Sequence, residues 1–188
     1  MSLTHNGVVA ATRAWIERAV IGLNLCPFAK AVYIKEQIRY VVSPATTPEA
    51  LLEELTRELQ HLVATPAEHT DTTLLIHPSV LNDFPAYNQF LDVADTALQH
   101  LALGGVIQIA SFHPQYQFAG STASDVTNCT NRSPFPMLHL LREASVDRAV
   151  AALPEAAEIY QRNIATMRRL GWEGCYMEIG RASCRERV

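Results

Sequence analysis

Apolar positions along the chain recur with two different periods. Val8, Val9, Trp15, Ile16, Ala19, Val20 and Leu23 fall at helical spacing, which predicts a helix from about Gly7 to Leu23. It stops near Asn24, because Cys26 precedes Pro27 and is pushed away from helical dihedrals. The short β-rich run Ile38 to Val42 follows, closed by Ser43-Pro44. Thr47 and Pro48 open a second helix as N-cap and first helical residue, with the apolar stripe Leu51, Leu52, Leu55, Leu59 and Leu62. Thr72 to Ile76 reads as a second strand, closed by His77-Pro78. A third helix runs from about Pro85 to Leu103, with Phe90, Val93, Ala94, Ala97, Leu98 and Leu101 inward and Gly104 as its stop. Val106 to Phe112 is a third strand, closed by His113-Pro114. Further on, Ser133 and Pro134 predict another helix start, with Phe135, Leu138, Leu141 and Ala149 inward and His139, Arg142 and Glu143 on the opposite face. A last helix follows Pro154, carries Tyr160, Ile164 and Met167, and ends at Gly171.

The three strand endings share a form: a polar residue before proline, at Ser43, His77 and His113, spaced about 35 residues apart, near the length of a βαβ unit. Right-handed crossovers then place these residues along one edge of a parallel sheet, the edge where open α/β sheets bind ligands. The expected fold is α/β: a small three-stranded, mostly parallel βαβαβ core with an added N-terminal helix and two C-terminal helices, one domain over residues 1–178. Between the third strand and the helix expected at Pro134 lies a connection of about twenty residues, longer than a compact domain normally needs. It is rich in side chains capable of chemistry.

Composition adds limits. At 48% hydrophobic and 18% charged, the 188 residues suit a globular domain with a proper core. No apolar run reaches the roughly 18 residues of a membrane span, and the start lacks the features of a signal peptide, so a cytoplasmic location without membrane partners is expected. The end, Ile179 to Val188, back-translates to a sequence resembling a common short-read sequencing adapter, and is expected to lie outside the fold. Setting it aside removes three arginines and one glutamate and moves the formal net charge from −4 to −6. A mildly acidic chain is a poor candidate for nucleic-acid binding. Cys26, Cys129 and Cys175 then remain, an odd and scattered set that argues for reduced thiols.

The candidate chemistry follows from residue types. Arg132, beside a helix start at Pro134, would grip a carboxylate or phosphate, with Asn131 as a neutral donor. The structural alternative has Ser133 as a cap, Asn128 and Asn131 in Asx turns and Arg132 paired with an acid. His113 and His77 suit an acid or base, with Asp125 to orient one of them; a two-histidine, one-carboxylate metal site is the other use of the same trio, although no spacing matches a metal signature. His139, Arg142 and Glu143 form either a buried trio or a surface ion-pair face. Cys26, between Leu25 and Pro27, suits a buried small hydrophobe better than a nucleophile.

Three segments carry a family resemblance: GLNLCPFA (Gly22 to Ala29), FHPQYQF (Phe112 to Phe118) and NCTNRSPFPMLHLLREAS (Asn128 to Ser145). The chain resembles an uncharacterised, mainly bacterial family catalogued as domain of unknown function 1415, over nearly all of Arg13 to Trp172. The resemblance implies no activity, substrate or cofactor, so the cofactor remains unknown. It marks Cys26, His113, Tyr116, Asp125, Asn128, Asn131, Arg132, Ser133, His139, Arg142 and Glu143 as motif positions. The leading expectation is a small enzyme acting on an anionic small molecule. His113, Asp125 and His139 are its catalytic candidates, and His77, Tyr116, Asn128, Asn131, Arg132, Ser133 and Arg142 its binding candidates, with no metal assigned. The alternatives are a non-catalytic ligand- or partner-binding domain and a His/Asp metal-dependent hydrolase.

Overall fold

The computed structural model describes residues 4–153 and 156–179. Helix α1 (His5–Trp15) is capped by the Thr4 hydroxyl and continues as a π-helical stretch, Ile16–Ile21. Asn24 ends the segment in the left-handed region at φ 54°. Gly22 is required just before it: a β-carbon there would lie 2.3 Å from the Arg18 carbonyl oxygen. A short helix α2 (Ala29–Ile34), which the apolar pattern does not announce, buries none of its residues.

Strand β1 (Ile38–Val42), helix α3 (Pro48–Ala64) and strand β2 (Thr72–Ile76) follow as a βαβ unit with parallel strands. The Thr47 hydroxyl accepts the Ala50 N–H, and Pro48 occupies the first turn, where no N–H is needed. Leu51, Leu55, Leu59 and Leu62 are fully buried, each contributing about 1.5–3 kcal/mol of hydrophobic burial. Helix α4 (Phe84–His100), capped by Asp83, leads to strand β3 (Ile107–Phe112). Its inward face is Tyr87, Phe90, Ala94 and Leu98, while Val93 is exposed. Ala102, not Gly104, takes the left-handed conformation that ends it.

The expectation for the next element is corrected. Met137 to Arg142 is a strand, β4, and only afterwards does helix α5 (Glu143–Ala151) begin. Two prolines explain it. Pro134 and Pro136 push Ser133 and Phe135 out of helical dihedrals. The run that follows is apolar at every position but His139 and Arg142, and so short a run fits either period. β4 inserts between β2 and β3 and is antiparallel to both, giving a four-stranded mixed sheet in the order β1-β2-β4-β3. β1, β2 and β3 still run in one direction and end at one edge, but β3 is not a neighbour of β2.

The last helix, α6 (Ile159–Ile179), contains a break at Gly171, whose φ 65° and ψ −173° are accessible essentially to glycine alone. The chain does not stop there as expected. It re-enters helix and carries Cys175 and Ile179 into the core. Ile179 thus belongs to the fold, whereas residues 180–188 of the adapter-like tail lie outside the described residues. Helices α3 and α4 cover one face of the sheet, against Leu75, Leu138 and Leu140. α1, the π-helical stretch and α6 cover the other, against Leu74, Ile76 and Met137. β2, covered on both faces, is buried throughout, with two threonines followed by the apolar run Leu74 to Ile76 and no alternation. Among the described residues no helix is long and apolar enough to cross a membrane.

Candidate functional site

The edge where β1, β2 and β3 end is held by backbone and ring contacts. Ser43 donates its N–H to Ile76, and His77 donates its own to Pro136 at the entry to β4. Both His77 and His113 are fully buried. Tyr87 of α4 packs against both imidazoles, with ring centres 5.8 Å from His77 and 5.0 Å from His113. Its hydroxyl donates to the Met137 carbonyl (2.8 Å) and accepts the Phe112 N–H (3.1 Å), joining β3 to β4 where they open.

The two imidazoles are fixed by consecutive carbonyls of the β2–α4 connection. His77 Nδ1–H donates to the Val80 carbonyl at 2.9 Å. His113 accepts the Gln115 N–H on Nδ1 (3.0 Å), so its proton sits on Nε2 and is donated to the Leu81 carbonyl at 3.2 Å. Leu81 has φ 56°, a strained conformation for a bulky residue. His113 therefore has both ring nitrogens engaged. His77 Nε2, by contrast, is buried and has no hydrogen-bond partner among the described residues. Burial pushes both pKa values from 6.5 down to about 4. For His113, backbone carbonyls and the Asp83 charge pull up and the Arg132 charge pushes down, while His113 itself adds to the depression at His77.

The long connection after β3 wraps over this edge and is braced from within. Tyr116 packs on Phe84 and Phe118. The Asn128 side chain, fully buried, accepts the Phe118 N–H and the Ser121 hydroxyl and donates to the Thr122 carbonyl. Asp125 caps the 3-10 turn Val126–Asn131 by accepting the Thr127 N–H and hydroxyl, which lower its pKa. Asn131 donates to the Ser111 carbonyl and Ser133 to the Phe135 carbonyl. With no helix at Pro134, the expected free N–H groups beside Arg132 are absent, and Ser133 is not an N-cap. Arg132, 7% exposed, donates from Nε to the Tyr116 carbonyl (3.3 Å) and from Nη2 to the Ala123 carbonyl (3.1 Å). Its guanidinium carbon lies 4.9 Å from the centre of the Trp172 ring.

The remaining candidates are dispersed. His139 sits mid-strand, its Nε2 against the Thr72 hydroxyl at 2.6 Å, with burial holding its pKa down at about 4. The Thr72 hydroxyl donates to the Leu140 carbonyl, so His139 is the donor to it. Arg142 lies at the opposite end of β4 and spans the Leu62, Thr65 and Thr70 carbonyls, tying the end of α3 to the sheet. The expected His139, Arg142 and Glu143 face is thus not formed, because a strand turns alternate residues to opposite sides. The expectation of reduced cysteines is also corrected: Cys129 and Cys175 are joined by a disulfide, and Cys26 is a free thiol whose pKa burial raises. Among the described residues no group of three or more His, Cys, Asp or Glu side chains is placed to hold a metal ion.

Sequence reasoning missed Trp15, whose indole N–H donates to the Arg132 carbonyl, as well as Tyr87, Leu81 and Trp172. Of these, only the tryptophans carried a prior signal, as large rings with a polar tip.

Two of the three motif segments noted in the sequence bond one another, Phe118 to Asn128 and Arg132 to Tyr116, and the first contributes Leu25 to the same apolar cluster as Cys129 and Phe135, its carbonyl held by Asn163 of α6. Fold and site together define a three-layer α/β protein with two buried histidines at the strand-end edge of a mixed sheet. The chain belongs to the family described as protein of unknown function (DUF1415), whose model matches residues 7–176. Neither a curated protein nor a solved structure matches it.

Proposed function

We propose that the edge formed by His77, His113 and the loop bearing Arg132 is the site of a small enzyme acting on an anionic molecule, a carboxylate or a phosphate. The observation that supports this most is the buried, unpartnered Nε2 of His77. An acceptor left unsatisfied in a core costs about 1–3 kcal/mol, a cost that a ligand, a water or a reacting group can remove; Tyr40, Glu54 and Thr73 carry the other such atoms, but none of these is an imidazole at the strand-end edge. The acid/base role first expected of His113 moves to His77, because both nitrogens of His113 position the ring. A neutral imidazole with a pKa of about 4 is a weak base. An anion bound beside it raises that pKa toward neutrality, so ligand binding itself activates the base. Arg132 supplies a full positive charge that His113 already feels.

The metal-dependent alternative has no ligand set among the described residues. A partner-binding surface would concentrate exposed apolar residues; Ile34, Val63, Val93 and Val150 lie on four different helices and Val106 before β3, while Tyr160, Tyr176 and Met177 share α6. The test is a thermal-shift screen of phosphates and carboxylates on wild type, Arg132→Lys and His77→Gln. A ligand at about a hundred times its Kd stabilises by roughly 2.7 kcal/mol. The expected result is stabilisation of the wild type by at least one anion, weakened in Arg132→Lys, which keeps the charge but loses the planar fork. If no anion stabilises the wild type, the reading fails.

A further inference from the structure

We infer that Trp172–Ile179 is a strap over the Arg132 loop, latched by the Cys129–Cys175 disulfide, and that reducing this disulfide opens the anion site. The inference rests on the reading of Arg132 as part of that site. Four observations converge on the strap. Gly171 breaks α6 in a glycine-only conformation, so the segment beyond it is not held by continuous helix hydrogen bonding from Ile159. Trp172 lies over the Arg132 guanidinium and donates its indole N–H to the Ser124 carbonyl at 3.0 Å, so one ring touches both the candidate clamp and the loop that carries it. Cys175, one helical turn on, is bonded to Cys129 in the 3-10 turn three residues before Arg132. Beyond these contacts Ile179 alone anchors the far end of the strap in the core, while Tyr176 and Met177 are exposed.

A helix this short is marginal by itself, since segments under about 12 residues do not sustain helix in water. The covalent link therefore carries much of the work of holding Trp172 over Arg132. A dithiol reductant reverses it by thiol–disulfide exchange. One reductant thiolate attacks a sulfur of the pair and forms a mixed disulfide, releasing the other cysteine as a thiolate. The second reductant thiol displaces the first cysteine. The reductant leaves as its own disulfide, having given two electrons, and Cys129 and Cys175 end as thiols. Both sulfurs are buried, so exchange waits on local opening of the strap, which Gly171 permits.

The experiment compares the oxidised chain with the same chain after dithiothreitol, by hydrogen exchange and by titration with inorganic phosphate. Amides of 172–179 are expected to lose protection about tenfold or more on reduction while β2 and β4 keep theirs. Phosphate is expected to bind at least about fivefold more tightly to the reduced chain. Cys175→Ser should reproduce the reduced behaviour without reductant. Unchanged protection of 172–179 overturns the latch, and lost protection with equal phosphate affinity in both states overturns the gating. Lost protection with no phosphate binding in either state supports the latch and sinks the anion reading instead.

Discussion

At the scale of single residues, the strand-end histidines were legible as a pair, but their chemistry was not. Proline after His77 and His113 marks where each strand stops, a local effect of backbone sterics. Which ring nitrogen is engaged depends on the Val80 and Leu81 carbonyls, brought over the edge by a connection no pattern describes. Burial of both rings has a consequence for stability. Their pKa values are lowered from 6.5 to about 4 in the folded chain. The unfolded chain therefore takes up protons first as pH falls. The stability they allow is complete above about pH 6.5 and is lost progressively down to about pH 4, by up to about 1.4 kcal/mol per pH unit for each ring. Urea unfolding across that window should show the loss, and His113→Gln should reduce the slope. A midpoint independent of pH there would contradict the buried neutral imidazoles.

At the scale of elements, helices with a capping residue, a proline and a leucine stripe were readable because each signal is local; α3 carries all three. β4 was not readable, because its six residues satisfy both periods and the sheet supplies the deciding hydrogen bonds from β2 and β3. The same element carries a binding candidate whose side chain is taken up by backbone carbonyls. Arg142, at the end of β4, caps the exposed carbonyls of α3 and fastens the connection that follows it. Arg142→Met should cost on the order of 1.5–3 kcal/mol, the worth of hydrogen bonds from a charged donor. In a domain of this size that lowers the melting temperature by roughly 2–4 °C per kcal/mol. Arg142→Lys should recover only part, since an ammonium cannot fork across three carbonyls. A melting temperature unchanged in both variants would remove this role.

At the scale of the whole molecule, the fold reaches at least one residue further than the sequence indicates. Ile179 is 5% exposed and packs with Trp15, Met167 and the disulfide. A chain ending at Ile179 is expected to melt with the full-length chain, whereas Ile179→Ala in the full chain should cost about 2–5 kcal/mol. Equal melting of all three would place Ile179 outside the core. By itself the sequence determined the three co-directional strands, the two capped helices between them, the shared strand-end edge and the family, because turn residues, caps and hydrophobic periods act over a few neighbours. Tertiary structure alone decided the place of β4, the disulfide, the engagement of Arg132 and which ring nitrogens of His77 and His113 are bonded. Each depends on contacts between residues tens of positions apart, and a residue's type does not say which distant backbone or ring will meet it.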